Sequence, residues 1–379
     1  MKVIFFISIF FIVYAMVGYP LVLKFLYQFL KKDSLIVDEK YEPYVSIIIP
    51  VYNEEKVIEK KLVNLMELNY PQDKCEIMIA SDNSTDNTNL IVKKYISEYS
   101  NIHLVEVKNR KGKTNAQDEA VDRSKGEILV FSDANSILEN NAINEITKYM
   151  VNEDVSYVAG KLVYTNGDLN RTAETESSYW NYDLEMRKIE SELSSITAGN
   201  GALYSVRRND YEKIDPIYSH DSIFPPKFVV KGKKAKFNPN AIAFEKAGEN
   251  LGDEFKRKIR MSRKIIKINF VDFQKYNMKK CGIFSFFYFS HRFCRNFLFL
   301  FHLIALITNV FLINNTFFLI LLLLQTSFFF CSFLGIYIHN KYLKVFTYYT
   351  MTVLAQLLGA YKEITGKSKP FWEIAESTR

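Results

Sequence analysis

Long apolar runs at both ends of the chain constrain its fold more than any other feature of the sequence. Residues 3–23 read VIFFISIFFIVYAMVGYPLVL, and residues 296–313 and 317–338 are comparably apolar on either side of an Asn314-Asn315 turn. A helix needs about 20 apolar residues to cross a hydrocarbon core. The sequence between these runs is charged and of mixed polarity. We therefore expect a membrane protein with one large water-facing domain.

The first apolar run has two possible interpretations, a cleaved signal peptide and a retained anchor. Only Lys2 precedes it, no small-x-small cleavage site follows it, and its basic flank (Lys24, Lys31 and Lys32) lies after it. Positively charged flanks remain in the cytoplasm. These flanks favour a retained anchor with the N-terminus outside and the large domain on the cytoplasmic side of the inner or plasma membrane.

The region before and within the C-terminal apolar runs is less uniform. Residues 282–297, GIFSFFYFSHRFCRNF, mix aromatic side chains with His291, Arg292 and Arg295, which is typical of an interfacial helix. Residues 345–361 are more polar and either span the membrane or lie at its surface. The predicted organisation is an anchor, a catalytic domain, an interfacial segment, two or three membrane helices and a tail, over residues 1–32, 33–275, 276–295, 296–361 and 362–379.

The net charge of +7 is concentrated in two basic clusters, residues 227–236 and 256–267. Nucleic acid is one partner that such clusters suit. Both clusters precede the C-terminal apolar runs, however, and anionic headgroups attract basic residues near a membrane by about 1 kcal/mol each. The position of the clusters favours membrane lipids and a phosphate-bearing substrate, with no nucleic acid.

The four cysteines show no spacing that indicates a metal site or a disulfide framework. Cys75, Cys281, Cys294 and Cys331 lie far apart, without a CxxC pair. We expect reduced, packed thiols.

The charged middle of the chain alternates between short apolar runs and amphipathic segments. Predicted strands lie at residues 45–51, 75–81, 101–107 and 126–132, and predicted helices at residues 54–69, 86–99 and 113–124. This alternation predicts an α/β fold with a mostly parallel sheet and helices on both faces. Ligands of such sheets bind beyond the carboxyl ends of the strands.

Polar residues follow three of the predicted strands at that edge: Asn53-Glu54, Asp82, and Asp133-Ala134-Asn135. One polar strand end is ordinary turn or capping chemistry, and capping is the preferred interpretation for Asp86 and Asn87. Three such ends in succession favour a cation or nucleotide site. Hard oxygen ligands from Asp133 and Asn135 suit Mg²⁺ or Mn²⁺, which would bridge the protein to a diphosphate.

Further candidates lie in basic and acidic segments downstream. The turn KNRKGKTNA is not a P-loop, because Val107 occupies the position of the first glycine. Lys113, before a helix, either meets phosphate or is solvated. Asp221 either acts as a general base or caps a helix. Arg260 either clamps a diphosphate or faces the membrane.

Two acids and two aromatic residues between these candidates have less specific predictions. Glu190 and Glu192 are expected to lie on the surface of a helix without a specific role. Trp180 and Tyr182 either stack on a sugar or pack in the core, with core packing expected for at least one of them. Residues 198–208, AGNGALYSVRR, are expected to form a loop beside the acceptor, because glycines permit close approach.

Taken together, the segments VSIIIPVYNEEKVI, ASDNSTDNT, NRKGKTNAQDEAV, FSDANSIL, AGNGALYSVRR and HDSIFPP…EFKRKIRM resemble the ordered motifs of membrane-bound family-2 inverting glycosyltransferases. The resemblance is to the bacterial exopolysaccharide and cellulose-synthase-like branch, over roughly residues 40–270. SHRFCRN and the terminal WEIAESTR extend it weakly into the membrane part. It implies a GT-A fold and a nucleotide-diphosphate sugar donor.

The resemblance also implies roles for single residues. Asp82 matches the acid that binds the nucleoside, and Asp133 matches the first acid of the DxD metal motif. Asp221 matches the catalytic base, and Arg260 matches the arginine of QxxRW that contacts the diphosphate. Asn53, Glu54 and Lys113 belong to the matched donor-site motifs.

The chain departs from the family pattern at several of these motifs. Ser81 replaces an acid before Asp82, Asn135 replaces the second DxD acid, and His220 replaces the acid before the base. Arg257 and Met261 replace the glutamine and tryptophan of QxxRW, a motif that accompanies processive polymerisation. The last departure leaves open whether the product is a polymer or a single-sugar adduct.

The expected function is transfer of a hexosyl or N-acetylhexosaminyl group to a hydroxyl of a lipid-linked or growing oligosaccharide acceptor, in cell-surface polysaccharide synthesis. A polyprenyl-phosphate sugar synthase is one alternative, and it would need no hydroxyl base. A non-catalytic assembly partner that retains the fold is the other.

Overall fold

A computed structural model describes residues 1–166, 171–248, 251–270, 273–338 and 340–371 of the chain, with only the backbone described at residues 171–180, 270, 273, 274 and 341. The side chain of Trp180 and the terminal WEIAESTR segment therefore lie outside the described part.

The part of the chain predicted to be catalytic, here called the catalytic part, is built on one eight-stranded sheet with the order β3-β2-β1-β4-β7-β6-β8-β5. Strands β1 to β4 run parallel, β7 is antiparallel to both of its neighbours, and β5 is antiparallel to β8. The mostly parallel sheet is confirmed. The strands are β1 Val45–Val51, β2 Cys75–Ser81, β3 Ile102–Glu106, β4 Ile128–Phe131, β5 Ile137–Leu138, β6 Val155–Tyr164, β7 Tyr204–Arg207 and β8 Lys234–Glu245.

Helices cover both faces of the sheet and form the membrane-type part of the chain. The α-helices are α1 Lys2–Val13, α2 Tyr19–Phe29, α3 Ile58–Met66, α4 Thr88–Glu98, α5 Lys113–Arg123, α6 Ala142–Thr147, α7 Arg171–Leu193, α8 His220–Val230, α9 Leu251–Met261, α10 Ile265–Phe270, α11 Met278–Cys281, α12 Phe284–Phe287, α13 Cys294–Asn296, α14 Leu298–Val310, α15 Thr316–Tyr337 and α16 Lys341–Ile364.

The central strands are buried on both faces, as parallel strands between helical layers must be. Every residue of β1 and of β2 is buried. One apolar cluster packs Ile47 and Ile49 against Leu62 of α3, and a second cluster packs Ile48 with Ala116 of α5 on the opposite face. The sheet is therefore the rigid layer from which the strand-end loops project.

The strand order places a switch point between β1 and β4. From β1 the chain adds β2 and then β3 on one side, and it returns to add β4 on the other side. Ligands of open α/β sheets bind at such a point, outside the carboxyl ends of the strands. Asn53, Asp82 and Asp133 each follow one of these strands, so the topology brings the three predicted positions to one edge.

Within the described residues, two helices are long and apolar enough to cross a membrane, Lys2–Phe29 and Thr316–Tyr337. A third candidate is the pair Phe284–Asn296 and Leu298–Val310, which meet at a bend of 58°. The predicted interfacial segment thus runs directly into the predicted span at residues 296–313. The straight helix of that span has only 13 residues, Leu298–Val310.

Helix α16 connects the membrane-type part to the catalytic part. It packs against α15 and α14 and also along α9. It contains residues 345–361, which the sequence predicts either to span or to lie at the surface, and it does not reach the apolarity of the two candidate spans. Its contact with α9 places it beside the candidate site.

Candidate functional site

Asn53 ties the loop after β1 to the loop after β2. Its backbone lies in the left-handed region, with φ of 52°, which asparagine tolerates better than most residues. The Asn53 amide donates to Ser84 Oγ at 3.1 Å, and its Oδ1 accepts from the Thr85 amide at 2.8 Å. Glu54 is buried, and its amide donates to Thr88 Oγ1 at 2.8 Å. Both predicted residues therefore shape the crevice wall.

Asp86 and Asn87 were predicted to cap the next helix, and the structure divides this prediction. Asp86 Oδ1 accepts from the Thr88 amide at 3.0 Å, so Asp86 satisfies a backbone donor at the start of α4. Asn87 makes no cap hydrogen bond and instead donates its side-chain amide to Glu55 at 2.9 Å. Asn87 thus occupies the N-cap position of α4 without a capping hydrogen bond, and Asp86 supplies the bond instead.

Asp82 is fully buried and holds the basic turn. Its two carboxylate oxygens accept from the backbone amides of Lys111 and Gly112, each at 3.0 Å. Gly112 has φ of 102°, a conformation that side chains other than glycine rarely adopt. Arg110 stacks over the ring of Tyr52, at 3.5 Å from the ring centroid. Asp82 thus fixes the turn that borders the predicted nucleotide crevice.

Asp133 pairs with Lys113 at the end of β4. Lys113 Nζ donates to Asp133 Oδ1, and both side chains are about one-third exposed, at 31% and 30%. Gly201 lies directly above them, because a Cβ at this glycine would be 3.0 Å from Asp133 Oδ2 and 3.0 Å from Lys113 Nζ. The sequence left open whether Lys113 meets phosphate or is solvated, and in the structure its ammonium group forms an ion pair with the candidate metal ligand Asp133.

This arrangement fits a divalent cation that shares its ligands with a diphosphate. The Lys113 ammonium already places a positive charge on Asp133, and the glycine at position 201 keeps a side chain from crowding the two groups. Among the described residues, no three His, Cys, Asp or Glu side chains gather to hold a metal on their own. Asp133 and the half-buried Asn135 offer hard oxygen ligands, and phosphate and water would have to supply the remaining ones.

Lys61 lies beneath the same turn and was missed from the sequence. It is fully buried, and its Nζ donates to Ser132 Oγ at 2.8 Å and to Ser136 O at 2.5 Å. Burial lowers its pKa to about 7, against the opposing attraction of Asp133 and Glu245. The available signal was its spacing, because Lys61 follows Ile58 by three residues and precedes Leu65 by four, on the buried face of α3.

Glu245 brings a second carboxylate toward Asp133 and was also missed. It ends β8, and its side chain accepts a hydrogen bond from Ser136 Oγ. Burial and the charge of Asp133 raise the pKa of Glu245. No strand was predicted from the sequence in this region, so Glu245 could not be placed near Asp133.

Asp221 lies in the first turn of α8 and faces a cavity of about 720 Å³. Its backbone carbonyl accepts from the Gly199 amide at 2.8 Å, which attaches α8 to the predicted acceptor loop. The preceding His220 is buried, and its Nδ1 lies 3.0 Å from Tyr204 Oη. Burial lowers the pKa of His220, so this histidine packs as a neutral ring where the family pattern has an acid.

The cavity beside Asp221 lies between the catalytic part and the membrane-type helices. Its walls include the loop at residues 197–199, α9, the segment around His291 to Leu298, and α16. Basic side chains and tyrosines line it, including Lys258, Arg263, Arg292, Tyr348 and Tyr349. The cavity can therefore admit a molecule with both an apolar and an anionic part.

A second cavity of about 510 Å³ is strongly basic and contains Arg260. Its lining includes Arg110, Lys256, Arg257, Arg260, Arg263, Lys362, Lys367 and Lys369. Arg263 lines both cavities. Burial and the neighbouring Arg260 lower the pKa of Arg263 to about 10, and Asp221 opposes that shift. A concentration of guanidinium groups suits a diphosphate, which they can grip bidentately.

The replaced QxxRW positions have different environments in the structure. Arg257 forms a salt bridge to Glu254, with N–O distances of 2.7 and 3.0 Å. Met261, in the tryptophan position, is 65% exposed. Arg260 thus lies among other basic side chains in the second cavity. Met261, in the tryptophan position, is largely exposed rather than packed against the rest of the protein.

Glu190 contradicts the prediction that it lies on the surface of a helix without a specific role. It is fully buried, and its Oε1 accepts from Tyr19 Oη at 2.5 Å and lies 2.7 Å from His291 Nδ1. Glu192 accepts from Tyr27 Oη and lies 3.6 Å from Lys32.

Tyr182 donates to Met16 O at 2.5 Å, so it packs against the N-terminal helix as expected for a core residue. The four cysteines are free thiols.

Comparison with known proteins agrees with this geometry. The sequence model of glycosyl transferase family 2 matches residues 46–214, which contain β1 to β7 and the strand-end residues Asn53, Asp82 and Asp133. Over this segment the chain is similar to glycosyl transferase family 2. The matched segment includes the four strands that were predicted from the sequence, apart from Val45, and the crevice at the switch point.

Three curated relatives are similar to parts of the chain. Over 290 residues the chain is 28% identical to the probable glycosyltransferase YdaM of Bacillus subtilis, covering 73% of this chain and 67% of that protein. It is 25% identical over 178 residues to the glycosyltransferase AglE of Haloferax volcanii, covering 47% and 57% respectively. It is 27% identical over 168 residues to the beta-monoglucosyldiacylglycerol synthase of a Nostoc species, covering 44% and 36%.

A solved structure shares the fold over almost the whole chain. The mannosyltransferase PcManGT from Pyrobaculum calidifontis, in complex with GDP-Man and Mn²⁺, superposes with a TM-score of 0.72 at 20% identity. The alignment covers 96% of this chain and 99% of that chain. The glycosyltransferase domain therefore has a GT-A-like α/β fold, and the likeness extends to the terminal helices.

Proposed function

We propose that this protein is a membrane-associated inverting glycosyltransferase that moves a sugar from a nucleotide-diphosphate donor to a hydroxyl of a lipid-linked or growing oligosaccharide acceptor. The observation that carries the proposal is the position of Asp221. It faces a cavity shared by the catalytic part and the membrane-type helices, and the basic cavity with Arg260 adjoins it through Arg263.

The proposed donor site lies at the switch point. Asp133 and Asn135 would hold Mg²⁺ or Mn²⁺, which when bound neutralises the diphosphate as a Lewis acid. Arg260 and its basic neighbours would stabilise the charge that develops on the departing nucleoside diphosphate, usually the largest catalytic contribution. Lys113 would exchange its contact with Asp133 for a phosphate oxygen. A GDP-Man and Mn²⁺ complex of the structural neighbour supports this donor chemistry.

The proposed acceptor site is the cavity beside Asp221. As a general base, Asp221 would take the proton of the acceptor hydroxyl while that oxygen attacks the anomeric carbon, and the nucleoside diphosphate leaves from the opposite face. Attack opposite the leaving group inverts the configuration. The cavity wall supplied by α16 and the segment around Leu298 supports an acceptor carried by a membrane lipid. The basic flank after the first apolar run supports an inner or plasma membrane location with the catalytic domain cytoplasmic.

The test is a screen of nucleotide sugars with purified full-length protein, read by mass spectrometry of both donor and products. Release of nucleoside diphosphate and appearance of a glycosylated lipid, both dependent on Mg²⁺ or Mn²⁺, are expected. Asp133→Asn should remove the metal dependence together with the activity. A protein that binds no nucleotide sugar and turns over none with membrane lipid extract would be a non-catalytic assembly partner, and the proposal would be wrong.

A second candidate, a polyprenyl-phosphate sugar synthase, is favoured by the basic lining of the same cavity. Lys258, Arg263 and Arg292 all line it with Asp221. A lipid phosphate would be held by these cations and would attack without a base. A labelled single-sugar lipid that still forms in Asp221→Asn would identify this second function.

A further inference from the structure

The residues that join Asp221 to Asp133 belong to one short loop, residues 197–201, here called the acceptor loop. At one end the Gly199 amide donates to Asp221 O at 2.8 Å. At the other end Gly201 lies against Asp133 and Lys113. A Cβ at Gly199 would overlap Tyr157 Oη, so the loop has no room to settle deeper. The loop therefore lies between the candidate base and the candidate metal ligand and contacts the residues on both sides.

Two buried arginines hold the backbone of this loop. Arg292 Nη1 donates to Thr197 O at 2.6 Å, and Arg187 Nη1 donates to Gly199 O at 2.6 Å. Arg292 also donates from Nη2 to Ser222 Oγ at 2.9 Å, next to Asp221. Both arginines are 8% exposed. Hydrogen bonds from a charged donor in a water-poor environment are shorter and stronger than neutral ones, so these contacts constrain the loop strongly.

Arg187 is itself fixed by a buried network that reaches the membrane-type helices, and Arg292 follows a member of that network, His291, in the sequence. Arg187 Nε donates to Asp183 Oδ2 at 2.6 Å, and Arg295 Nη1 donates to Asp183 Oδ1 at 2.7 Å. His291 lies between Asp183, at 3.0 Å, and Glu190, at 2.7 Å. Burial alone would raise the pKa of Asp183, but Arg187 and Arg295 hold it well below its usual range.

The network ends on the N-terminal apolar helix, where Tyr19 Oη donates to Glu190 Oε1 at 2.5 Å. It thus links the N-terminal candidate span Lys2–Phe29, the segment containing His291 and Arg292, and helix α7 of the catalytic part. Such a network can affect the reaction rate, because it fixes a loop that lies between two reacting groups. A shift of about 1 Å in the position of reacting groups can lower the rate about 100-fold.

We propose that Arg292 and Arg187 are positioning residues for sugar transfer, which hold the acceptor loop so that Asp221 and the donor face each other at the required separation. This inference rests on the proposed function. Neither arginine touches the donor site, so their loss should slow transfer and leave donor binding intact. Arg292 carries the larger expected effect, because it holds both the loop and the residue beside Asp221.

The experiment compares Arg292→Gln, Arg292→Lys and Arg187→Gln with the matched control Arg207→Gln in the full-length protein. Arg207 also clamps backbone carbonyls, those of Met150 and Asn152, but it ends β7 beside Ile128, at the opposite edge of the sheet. Calorimetric titration with nucleoside diphosphate and Mn²⁺ measures donor-site binding, and initial rates measure transfer. All rates are corrected for the folded fraction from thermal unfolding.

Arg292→Gln should lower kcat by about 10- to 100-fold while the Kd for nucleoside diphosphate stays within about 2-fold. Arg292→Lys should recover at least several-fold of the loss, since lysine keeps one charged donor. Arg207→Gln should lower Tm without a specific loss of kcat. Hydrogen exchange of a peptide covering residues 194–204 should rise about 10-fold in Arg292→Gln and not in Arg207→Gln.

Equal exchange and equal kcat in Arg292→Gln and Arg207→Gln would overturn the inference. The exchange measurement needs no turnover, so it decides whether the loop is held even if no donor is found. Loss of the proposed function has a different signature, since wild-type protein would then release no nucleoside diphosphate while the loop remained protected by Arg292.

Discussion

At the scale of the residue, charged side chains define the candidate site, and several of them contact partners that lie far away in the sequence. Asp133 meets Lys113, Lys61 lies buried beneath the same turn, and Glu245 arrives from a distant strand. The positions of Asp82 and Asp133 at strand ends could be predicted from the sequence, and the roles of these two residues and of Asp221 stay predictions. Lys61 and Glu245 could not be predicted, because their roles depend on contacts with residues about 70 and 110 positions away.

Lys61 gives a prediction about the pH dependence of stability. Its pKa is about 7 in the folded protein and 10.5 in the unfolded chain, so between these values the unfolded state binds more protons. The contribution of Lys61 to the free energy of unfolding should therefore rise as pH increases from about 7 to 10.5. Denaturant unfolding at several pH values should show a flatter slope over that window for Lys61→Met than for wild type.

The opposite result, equal slopes in wild type and Lys61→Met, would mean that Lys61 remains fully protonated in the folded protein. Lys60, the neighbouring lysine on the exposed side of the same helix, is the matched control. Lys60→Met should leave the slope unchanged.

At the scale of the element, the first half of the sheet follows from the sequence and the second half does not. Strands β1 and β2 have the predicted bounds, because a buried parallel strand reads as a continuous apolar run. Strands β5 to β8 pair in a mixed pattern with long connections, and β6 and β8 carry irregular register. Short runs whose pairing is set by distant partners carry no local signal, so Glu245 and the wall it forms stayed unpredicted.

The acceptor loop gives a prediction at this scale, from two glycines with different surroundings. At Gly199 a methyl group would collide with the buried Tyr157 hydroxyl, whereas at Gly201 it would meet the ends of Asp133 and Lys113 at 3.0 Å. Gly199→Ala should therefore lower the free energy of unfolding by about 1–3 kcal/mol, the usual cost of overpacking. Gly201→Ala should leave stability nearly unchanged and weaken Mn²⁺-dependent nucleotide binding.

Thermal unfolding and calorimetric titration of the two variants separate these effects. A Gly201→Ala variant with unchanged Mn²⁺-dependent binding would show that the space above Asp133 is not used by the cation or the diphosphate.

At the scale of the whole molecule, terminal helices and catalytic domain form one connected structure. The N-terminal candidate span Lys2–Phe29 is linked to α7 by hydrogen bonds among Tyr19, Glu190, His291 and Asp183. Helix α16 packs along α9. The apolar runs were evident from length and composition alone. Their arrangement was not, because a bend of 58° and a buried polar network arise from packing between segments almost 300 residues apart.

Membrane association gives the prediction at this scale. The exposed apolar surfaces of Lys2–Phe29 and Thr316–Tyr337 should keep the protein in the membrane fraction after alkaline carbonate extraction. Protease added to inside-out vesicles should cleave the catalytic domain, and protease added to right-side-out vesicles should spare it. Release by carbonate would contradict the spans, and the reverse protease pattern would contradict a cytoplasmic domain.

The central claim is that Asp221 removes the acceptor proton beside a donor held at Asp133, and one comparison tests it most directly. Transfer rate and nucleoside-diphosphate binding are measured for wild type, Asp221→Asn and the exposed control Asp215→Asn. We predict that Asp221→Asn lowers kcat by about 100-fold or more with binding unchanged, while Asp215→Asn behaves as wild type. Near-wild-type turnover in Asp221→Asn would contradict the account.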